Sequence, residues 1–158
     1  RVIARARFEV YGEDLYPDAT FTLRFSFGQV KGYELDTTFI PWKTTFWGLF
    51  GRNASFDDQA PFNLPKRWLD ARESIDLDTP LNFVGTLDTT GGNSGSPVIN
   101  RKAEVVGLLF DGNIQSLICD FVYDEKVARS VMVHTAGMTE ALRKVVKAPH
   151  SLDERGVR

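Results

Sequence analysis

The chain of 158 residues has one cysteine, Cys119, and two histidines, His134 and His150, and this scarcity excludes several classes of protein. A single cysteine forms no disulfide within the chain, so internal covalent cross-links do not stabilise the fold. We expect Cys119 to be a small buried apolar residue. Because paired cysteines and an HExxH motif are absent and the two histidines have no obvious partner ligands, the sequence predicts no metal site and no cofactor.

The sequence also lacks an excess of positive charge and a long apolar run. Nineteen Lys and Arg residues face 21 Asp and Glu residues, for a net charge of −2 and an isoelectric point near 5.7. Nucleic acids and anionic membranes bind basic surfaces, so neither partner is expected. No apolar run is long enough to predict a membrane span or a signal peptide. Since the chain begins Arg-Val-Ile-Ala rather than with Met, we expect it to be part of a longer protein.

Alternation of polar and apolar residues predicts a chain of short strands. The predicted strands are residues 20–27, 44–50, 81–84, 96–100, 104–110, 118–123 and 130–133. Residues 51–79 change character, with prolines and acidic residues, and we interpret them as a loop insertion with a short helix at 66–73.

The end of the chain has helical spacing instead. Thr135 is the predicted N-cap of a terminal helix over residues 135–147, and Pro149 would end it. His134 falls in the strand that leads to this helix, where a half-buried structural role is expected. Many short strands followed by one helix predict a mainly β fold, a barrel with a C-terminal helix.

Residues 89–98 read Thr-Thr-Gly-Gly-Asn-Ser-Gly-Ser-Pro-Val, and we call them the nucleophile loop because they resemble that loop of chymotrypsin-like serine peptidases. In this resemblance Ser94 is the attacking hydroxyl, and the amides of Gly92 and Ser94 form the oxyanion hole. Such a loop needs glycines because its backbone N–H groups must turn toward one point, and we expect side chains at Gly91, Gly92 and Gly95 to block that turn. A Gly/Ser/Asn-rich surface loop between two strands is the alternative.

Four further segments resemble the bacterial dipeptidyl-peptidases 7 and 11. They are Tyr-Pro-Asp-Ala-Thr-Phe-Thr-Leu-Arg at 16–24, Gly-Gln-Val-Lys-Gly-Tyr at 28–33, Leu-Asn-Phe at 81–83 and Gly-Leu-Leu-Phe-Asp-Gly-Asn at 107–113. The resemblance covers roughly residues 16–147. It implies that residues 1–158 are the C-terminal half of a peptidase domain, the second six-stranded barrel of a chymotrypsin-like double β-barrel.

The resemblance also implies an activity, a location and partners. These enzymes remove dipeptides from the free N-termini of peptides, in the periplasm or at the cell surface of Gram-negative bacteria. The expected partners are therefore peptide substrates and, within the same protein, an upstream first barrel and a helical domain. The apolar face that would pack on the first barrel implies a tendency to dimerise when it is exposed.

Carried over by position, Asp111 would bind the α-ammonium group of the substrate with charge-assisted hydrogen bonds. Without the resemblance, Asp-Gly-Asn is typical of a solvated turn. Gly112 corresponds to the residue that sets side-chain preference: arginine there selects acidic residues, whereas glycine implies an apolar pocket and a hydrophobic or broad preference. Asp88 lies six positions before Ser94, the spacing at which trypsin places its specificity carboxylate, so a basic preference also stays open.

A serine hydroxyl needs a histidine to remove its proton and a carboxylate to orient that histidine. In the chymotrypsin-like order both precede the serine, whereas His134 and His150 follow Ser94. We therefore expect the chain by itself to be inactive. Two alternatives stay open: a glutamyl-endopeptidase-like endopeptidase, whose loop also reads Gly-Asn-Ser-Gly-Ser-Pro, and a non-catalytic binding domain that keeps the cleft.

Overall fold

The computed structural model describes residues 2–12, 23–119, 121–148, 150–151 and 154. Its main elements are α1 (Val2–Tyr11), β1 (Tyr33–Leu35), β2 (Thr38–Ile40), β3 (Lys43–Thr45), α2 (Phe46–Ser55), α3 (Lys66–Ala71), β4 (Pro80–Gly85), β5 (Pro97–Ile99), β6 (Val105–Gly112), β7 (Ser130–His134) and α4 (Thr135–Ala141). Short 3₁₀ helices lie at Arg72–Ser74 and Ile114–Ile118, and a π-helical turn, Leu142–Val146, follows α4. Within these described ranges no helix is both long and apolar enough to cross a membrane.

The predicted mainly β fold with a C-terminal helix is confirmed. Five strands form one antiparallel sheet in the order β3-β4-β7-β6-β5, and β1 pairs with β2 in a separate hairpin. The described residues thus hold seven strands in two sheets, where six strands of one barrel were expected. The strands predicted at 81–84, 96–100, 104–110 and 130–133 correspond to β4, β5, β6 and β7.

The strand predicted at 20–27 is wrong for the part of it that the structure describes. Residues 23–27 have no ladder partner, and the side chains of Leu23, Phe25 and Phe27 are exposed. Alternation produces a strand only where a neighbouring strand completes the backbone hydrogen bonds. The Ser26 hydroxyl in this segment donates to the Asp88 carbonyl. Just after the segment, Val30 forms an isolated β-bridge with Gly85, the last residue of β4.

Two other predicted strands are also wrong. Residues 44–50 leave β3 and enter α2, because Phe46, Phe50 and Asn53 recur at the spacing of one helix face and are all buried there. In the described part of 118–123, Ile118 ends a 3₁₀ helix and Cys119 and Phe121 lie in turns, and the side chains of Phe121 and Val122 are exposed. An apolar run becomes a strand only where its side chains can pack against a buried surface, and these exposed side chains have none.

The hydrophobic core has two parts. Phe46, Phe50, Ile75 and Val145 pack between α2, the segment after α3 and the π-helical turn. Phe83, Leu109 and Met132 pack across β4, β6 and β7. Ile75 comes from the segment 51–79, which also contains the second half of α2 and all of α3. Cys119 is buried, as expected, and forms no disulfide with any residue that the structure describes.

The junction between β7 and α4 is capped by His134 rather than by Thr135, so the predicted N-cap is wrong by one residue. His134 Nδ1 accepts a hydrogen bond from the Ala136 amide at 3.0 Å, whereas the Thr135 hydroxyl donates to the Val106 carbonyl. The imidazole is half-buried, with its ring edge against Phe83 at 5.4 Å between centroids. Burial, and to a smaller extent the charge of Lys43, lower the pKa of His134 below its ordinary value.

The lowered pKa of His134 predicts a loss of stability in mild acid. In the unfolded chain His134 takes up a proton near its ordinary pKa, while in the folded chain it stays neutral to lower pH. The free energy of unfolding should therefore fall as the pH drops below about 6.5 and should carry no contribution from this group above it. His134→Asn keeps a capping oxygen but does not titrate. Urea unfolding at several pH values should give a flatter acid slope for the variant, and parallel curves for the two proteins would contradict the prediction.

Candidate functional site

The nucleophile loop, residues 89–98, contains a tight turn held by Asn93. The Asn93 amide donates to the Thr90 carbonyl at 3.2 Å, and the Asn93 side-chain oxygen accepts from the Thr90 amide at 3.0 Å. Gly92, the third residue of this turn, has φ +103°, a positive value like that which type II turns require at this position. Asn93 therefore closes the turn from both sides, and Ser94 follows it with an exposed side chain.

The backbone donors around Ser94 divide into bonded and unbonded groups. The amide of Gly95 donates to the Leu109 carbonyl at 2.7 Å, and the amide of Ser96 donates to the Asn93 carbonyl at 3.0 Å. Among the described residues, no backbone carbonyl accepts a hydrogen bond from the amide of Gly92 or Ser94. These are the two amides predicted for an oxyanion hole, and their lack of an internal backbone acceptor suits that chemistry.

The glycines of the loop are required for their backbone conformation rather than for space. A Cβ built at Gly91, Gly92 or Gly95 would meet no atom within 4 Å, so the expectation that side chains block the turn is wrong. Gly92 and Gly95, with φ +103° and +86°, lie in the region that side chains disfavour, whereas Gly91 does not. Only Gly92 and Gly95 therefore need glycine.

Asp111 lies at a bulge in β6. Leu109 pairs with Met132 and Asp111 with Val131, so Phe110 is the extra residue, and such bulges redirect neighbouring side chains. The Asp111 carboxylate is exposed and accepts a hydrogen bond from the amide of Gly112 at 2.8 Å. No described Lys or Arg forms an ion pair with it. The carboxylate is therefore open to a cationic ligand.

The recognition segment, residues 110–112, lies beside the nucleophile loop. The hydrogen bonds from Gly95 to Leu109 and from Leu109 to Ser96 hold the two together, at 2.7 and 3.0 Å. Sequence positions seventeen residues apart, Ser94 and Asp111, thus lie at the same end of the sheet. Gly92 and Ser94 on one segment and Asp111 and Gly112 on the other are therefore neighbours at this end of the sheet.

A small cavity, with room for about one water molecule, lies between residues 87–89, the start of β7 and the 3₁₀ helix Ile114–Ile118. Its walls include Leu87, Asp88, Thr89, Ser116, Tyr123 and Ser130.

Gly112 faces Ser116, which is one of the residues in the cavity wall. A Cβ built on Gly112 would overlap the Ser116 hydroxyl, which donates to the Asn113 carbonyl at 2.7 Å. Any larger residue at position 112 therefore requires Ser116 to move. Asp88 lies in the wall of the same cavity, so the structure leaves a basic preference open.

Two buried polar residues at the start of β7 escaped the sequence analysis. Ser130 is 3% exposed, and its hydroxyl bonds to the segment that enters the nucleophile loop. Arg129 is 2% exposed, and its guanidinium donates to five backbone carbonyls, those of Lys31, Gly32, Glu125, Lys126 and Ala128. A serine and an arginine ahead of an apolar strand carry no local signal of burial, so sequence patterns could not have identified them.

The structure assigns His134 to the fold and not to the reaction of Ser94. Its Nδ1 is occupied by the Ala136 amide, and its ring packs on Phe83. In the sheet it pairs with Gly107, away from the recognition segment. Among the residues that the structure describes, no histidine forms a hydrogen bond with the Ser94 hydroxyl.

The chain matches the model of one protein family, Peptidase S46, over residues 1–156. The chain belongs to the peptidase S46 family. The predicted resemblance to the dipeptidyl-peptidase 7 and 11 group is thereby confirmed.

Relatives in this family are several times longer than the chain. A dipeptidyl-peptidase 7 from Capnocytophaga gingivalis is 36% identical over 152 residues, which are 89% of this chain and 21% of the relative. An Asp/Glu-specific dipeptidyl-peptidase from Flavobacterium psychrophilum is 32% identical, over 98% of this chain and 23% of the relative. The chain thus spans about a fifth to a quarter of the length of these S46 peptidases.

A solved S46 structure has the same fold. The crystal structure of Porphyromonas endodontalis DPP11 in complex with the dipeptide Arg-Asp matches this chain with a TM-score of 0.76 at 28% identity. The match covers 95% of this chain and 23% of the other.

The positive φ angles predict different tolerances for neighbouring glycines. Gly92→Ala and Gly95→Ala should each lower the free energy of unfolding by about 1–3 kcal/mol, because an alanine is strained in that conformation. Gly91→Ala is the matched control, since it has space and an ordinary φ, and should change stability by no more than about 0.5 kcal/mol. Urea denaturation measures all three. An equal loss in the three variants would refute the conformational explanation.

Proposed function

We propose that this chain is the nucleophile and substrate-recognition half of a serine dipeptidyl-peptidase, which releases dipeptides from peptides with a free N-terminus. One observation carries the proposal. An exposed serine follows a turn with two unbonded amides, and an exposed carboxylate lies beside it at the same end of the sheet. Similarity to the dipeptidyl-peptidases of the S46 family supports this activity over others.

In the proposed reaction the Ser94 hydroxyl attacks the carbonyl carbon of the second substrate residue. The carbonyl oxygen becomes negatively charged, and the amides of Gly92 and Ser94 stabilise it by hydrogen bonding. The peptide bond after the second residue then breaks, and the proton removed from the Ser94 hydroxyl passes to the amine of the departing shortened peptide, which leaves the dipeptide as an ester on Ser94. Water hydrolyses this ester, releases the dipeptide and restores the hydroxyl. The turn closed by Asn93 holds both amides before the substrate binds, so little reorganisation is needed during the reaction.

Asp111 would fix the cut two residues from the N-terminus. Its carboxylate has no described cationic partner and can accept hydrogen bonds from the substrate ammonium group. A substrate with a blocked N-terminus offers no charge there and leaves the carboxylate unpaired, which disfavours binding.

The base that activates Ser94 and the carboxylate that orients it would come from residues outside the 158, in an upstream first barrel. His134 is engaged in capping α4. The 152 residues that match the Capnocytophaga gingivalis relative are only 21% of its length, so that relative has several hundred further residues. Without the base, serine peptidases lose several orders of magnitude in rate. The isolated chain should therefore be inactive.

The two alternatives differ from the proposal in testable ways. An endopeptidase with the same loop would have no use for an open carboxylate such as Asp111 at the substrate's N-terminal side. A non-catalytic binding domain would have no use for the positive φ angles at Gly92 and Gly95.

Location and assembly are further parts of the proposal. We place the protein in the periplasm or at the surface of a Gram-negative bacterium, which cell fractionation would test. We also propose that the chain dimerises when the first barrel is absent, since Leu23, Phe25 and Phe27 form an exposed apolar segment. Light scattering of the isolated chain should give the mass of two copies, and a monomer would overturn this assignment.

Removal of Ser94 and of Asp111 should affect the full-length protein differently. Ser94→Ala should lower kcat by about 10⁴-fold or more, because it removes the nucleophile. Asp111→Asn should raise KM for free dipeptide substrates by about 10- to 100-fold, because it removes one charge-assisted interaction. Fluorogenic dipeptides with free and acetylated N-termini measure both effects, and acetylated substrates should not be cut by the unmodified enzyme.

The matched control for Asp111 is Asp36→Asn. Asp36 is also exposed and lies in the turn between β1 and β2, with a positive φ that asparagine tolerates. This variant should keep the activity of the parent. Equal cleavage of acetylated substrates would remove the exopeptidase proposal, and full activity of Ser94→Ala would remove the nucleophile assignment.

The overlap with Ser116 predicts that a change of preference at position 112 requires two substitutions. Gly112→Arg alone should lose activity on apolar substrates without gaining more than a few-fold on acidic ones, because the Ser116 hydroxyl occupies the space. With Ser116→Ala added, cleavage after Asp or Glu should rise about tenfold further. Ser116→Ala alone, the control, should keep the original preference. A complete switch by Gly112→Arg alone would show that Ser116 moves freely.

A further inference from the structure

Ser130 lies where the parts of the candidate site meet. It is the first residue of β7 and pairs with Gly85 of β4 on one side and with Gly112 of β6 on the other. Its side chain is 3% exposed. A serine this deeply buried must satisfy its hydroxyl by hydrogen bonds, so its partners define what it holds in place.

The Ser130 hydroxyl has two partners, both in residues 87–89, which we call the entry segment of the nucleophile loop. It donates to the Leu87 carbonyl at 2.7 Å. A hydroxyl has one proton, so in the second contact, at 2.6 Å, the Thr89 hydroxyl is the donor and Ser130 the acceptor. One buried side chain thereby fixes both ends of the entry segment against β7.

The entry segment leads directly into the turn that carries the oxyanion-hole amides. Thr90, the residue after Thr89, is bonded through both its amide and its carbonyl to Asn93. Beyond Ser94 the loop is held again, by the bond from Gly95 to Leu109. Ser94 thus lies between two anchors, with Ser130 as the side-chain anchor on the entry side.

We propose that Ser130 is a positioning residue for the nucleophile loop: its hydroxyl, acting through Thr89, sets the position of Ser94 and its neighbouring amides relative to the recognition segment. This inference rests on the proposed peptidase activity. Ser130 touches no reacting atom in the proposal. Its effect arises because the same strand residue pairs with Gly112, so the nucleophile loop and the recognition segment share one fixed reference point.

The test is a double-mutant cycle in the full-length protein with a free-N-terminal dipeptide substrate. Ser130→Ala and Thr89→Val each break the bond between the two hydroxyls, and each should lower kcat about ten- to a hundredfold, as displacement of catalytic groups does. Because both remove the same interaction, the double variant should be no more than about twofold worse than the poorer single variant. Thr89→Ser keeps the hydroxyl and should restore kcat to within about twofold of the parent.

A purely structural role for Ser130 would give a different result. Thr135→Val is the matched control, because the Thr135 hydroxyl also donates to a backbone carbonyl, that of Val106, at the opposite end of β7. It should lower the melting temperature without lowering kcat measured well below that temperature. If Ser130→Ala behaves like Thr135→Val, or if the effects of Ser130→Ala and Thr89→Val on kcat multiply, the positioning proposal is overturned.

Labelling of Ser94 by a fluorophosphonate separates this proposal from the proposed function. If the parent protein is neither labelled at Ser94 nor active on dipeptide substrates, the peptidase assignment fails and the role of Ser130 fails with it. If the parent is labelled and active but Thr89→Val keeps full kcat, only the positioning role fails. Thr89 is half-buried and valine matches its shape, so this variant remains informative even if Ser130→Ala does not fold.

Discussion

The position of β7 between β4 and β6 is the constraint on which the candidate site depends. This pairing places residues 86–89, which follow β4, beside the end of β6, where Asp111 and Gly112 lie. Backbone hydrogen bonds hold β7 between β4 and β6. The cluster of Phe83, Leu109 and Met132 fixes which face of the three strands is buried. A shift of one residue in the register of β7 would turn Met132 to the opposite face and separate the entry segment from Ser130.

The buried charge of Arg129 is the second constraint, and it acts next to the first. Its guanidinium is surrounded by backbone carbonyls rather than by a carboxylate, and its Cζ atom lies 5.3 Å from the ring centre of Tyr33. Carbonyl dipoles pointing at a cation compensate for part of its lost hydration, provided that each is held in place. Arg129 therefore ties residues 31–32 and 125–128 to the start of β7, adjacent to Ser130. This network gives an irregular part of the chain a fixed geometry near the cavity.

The nucleophile loop illustrates how a sequence motif and its physical cause can differ. The run of glycines was interpreted as a need for space, yet a side chain at any of the three positions would meet no neighbouring atom. The requirement comes from the backbone torsion at Gly92 and Gly95, because positive φ is what turns the peptide groups around Ser94. The sequence therefore predicts where the glycines are needed, whereas the physical reason for them comes from the torsion angles.

The sequence by itself determined four of the five strands of the main sheet, β4, β5, β6 and β7, as well as the C-terminal helix and the family, because alternation, helical spacing and the run of residues 89–98 are local patterns. It failed for residues 23–27 and 44–50, where alternation was present but no neighbouring strand paired with them, or a helix face was buried instead. The cap at His134, the overlap of Gly112 with Ser116 and the bond between Thr89 and Ser130 were decided only by the tertiary structure. Thr89 and Ser130 are 41 positions apart, and the pairing of β4 with β7 brings them together, which no local pattern encodes.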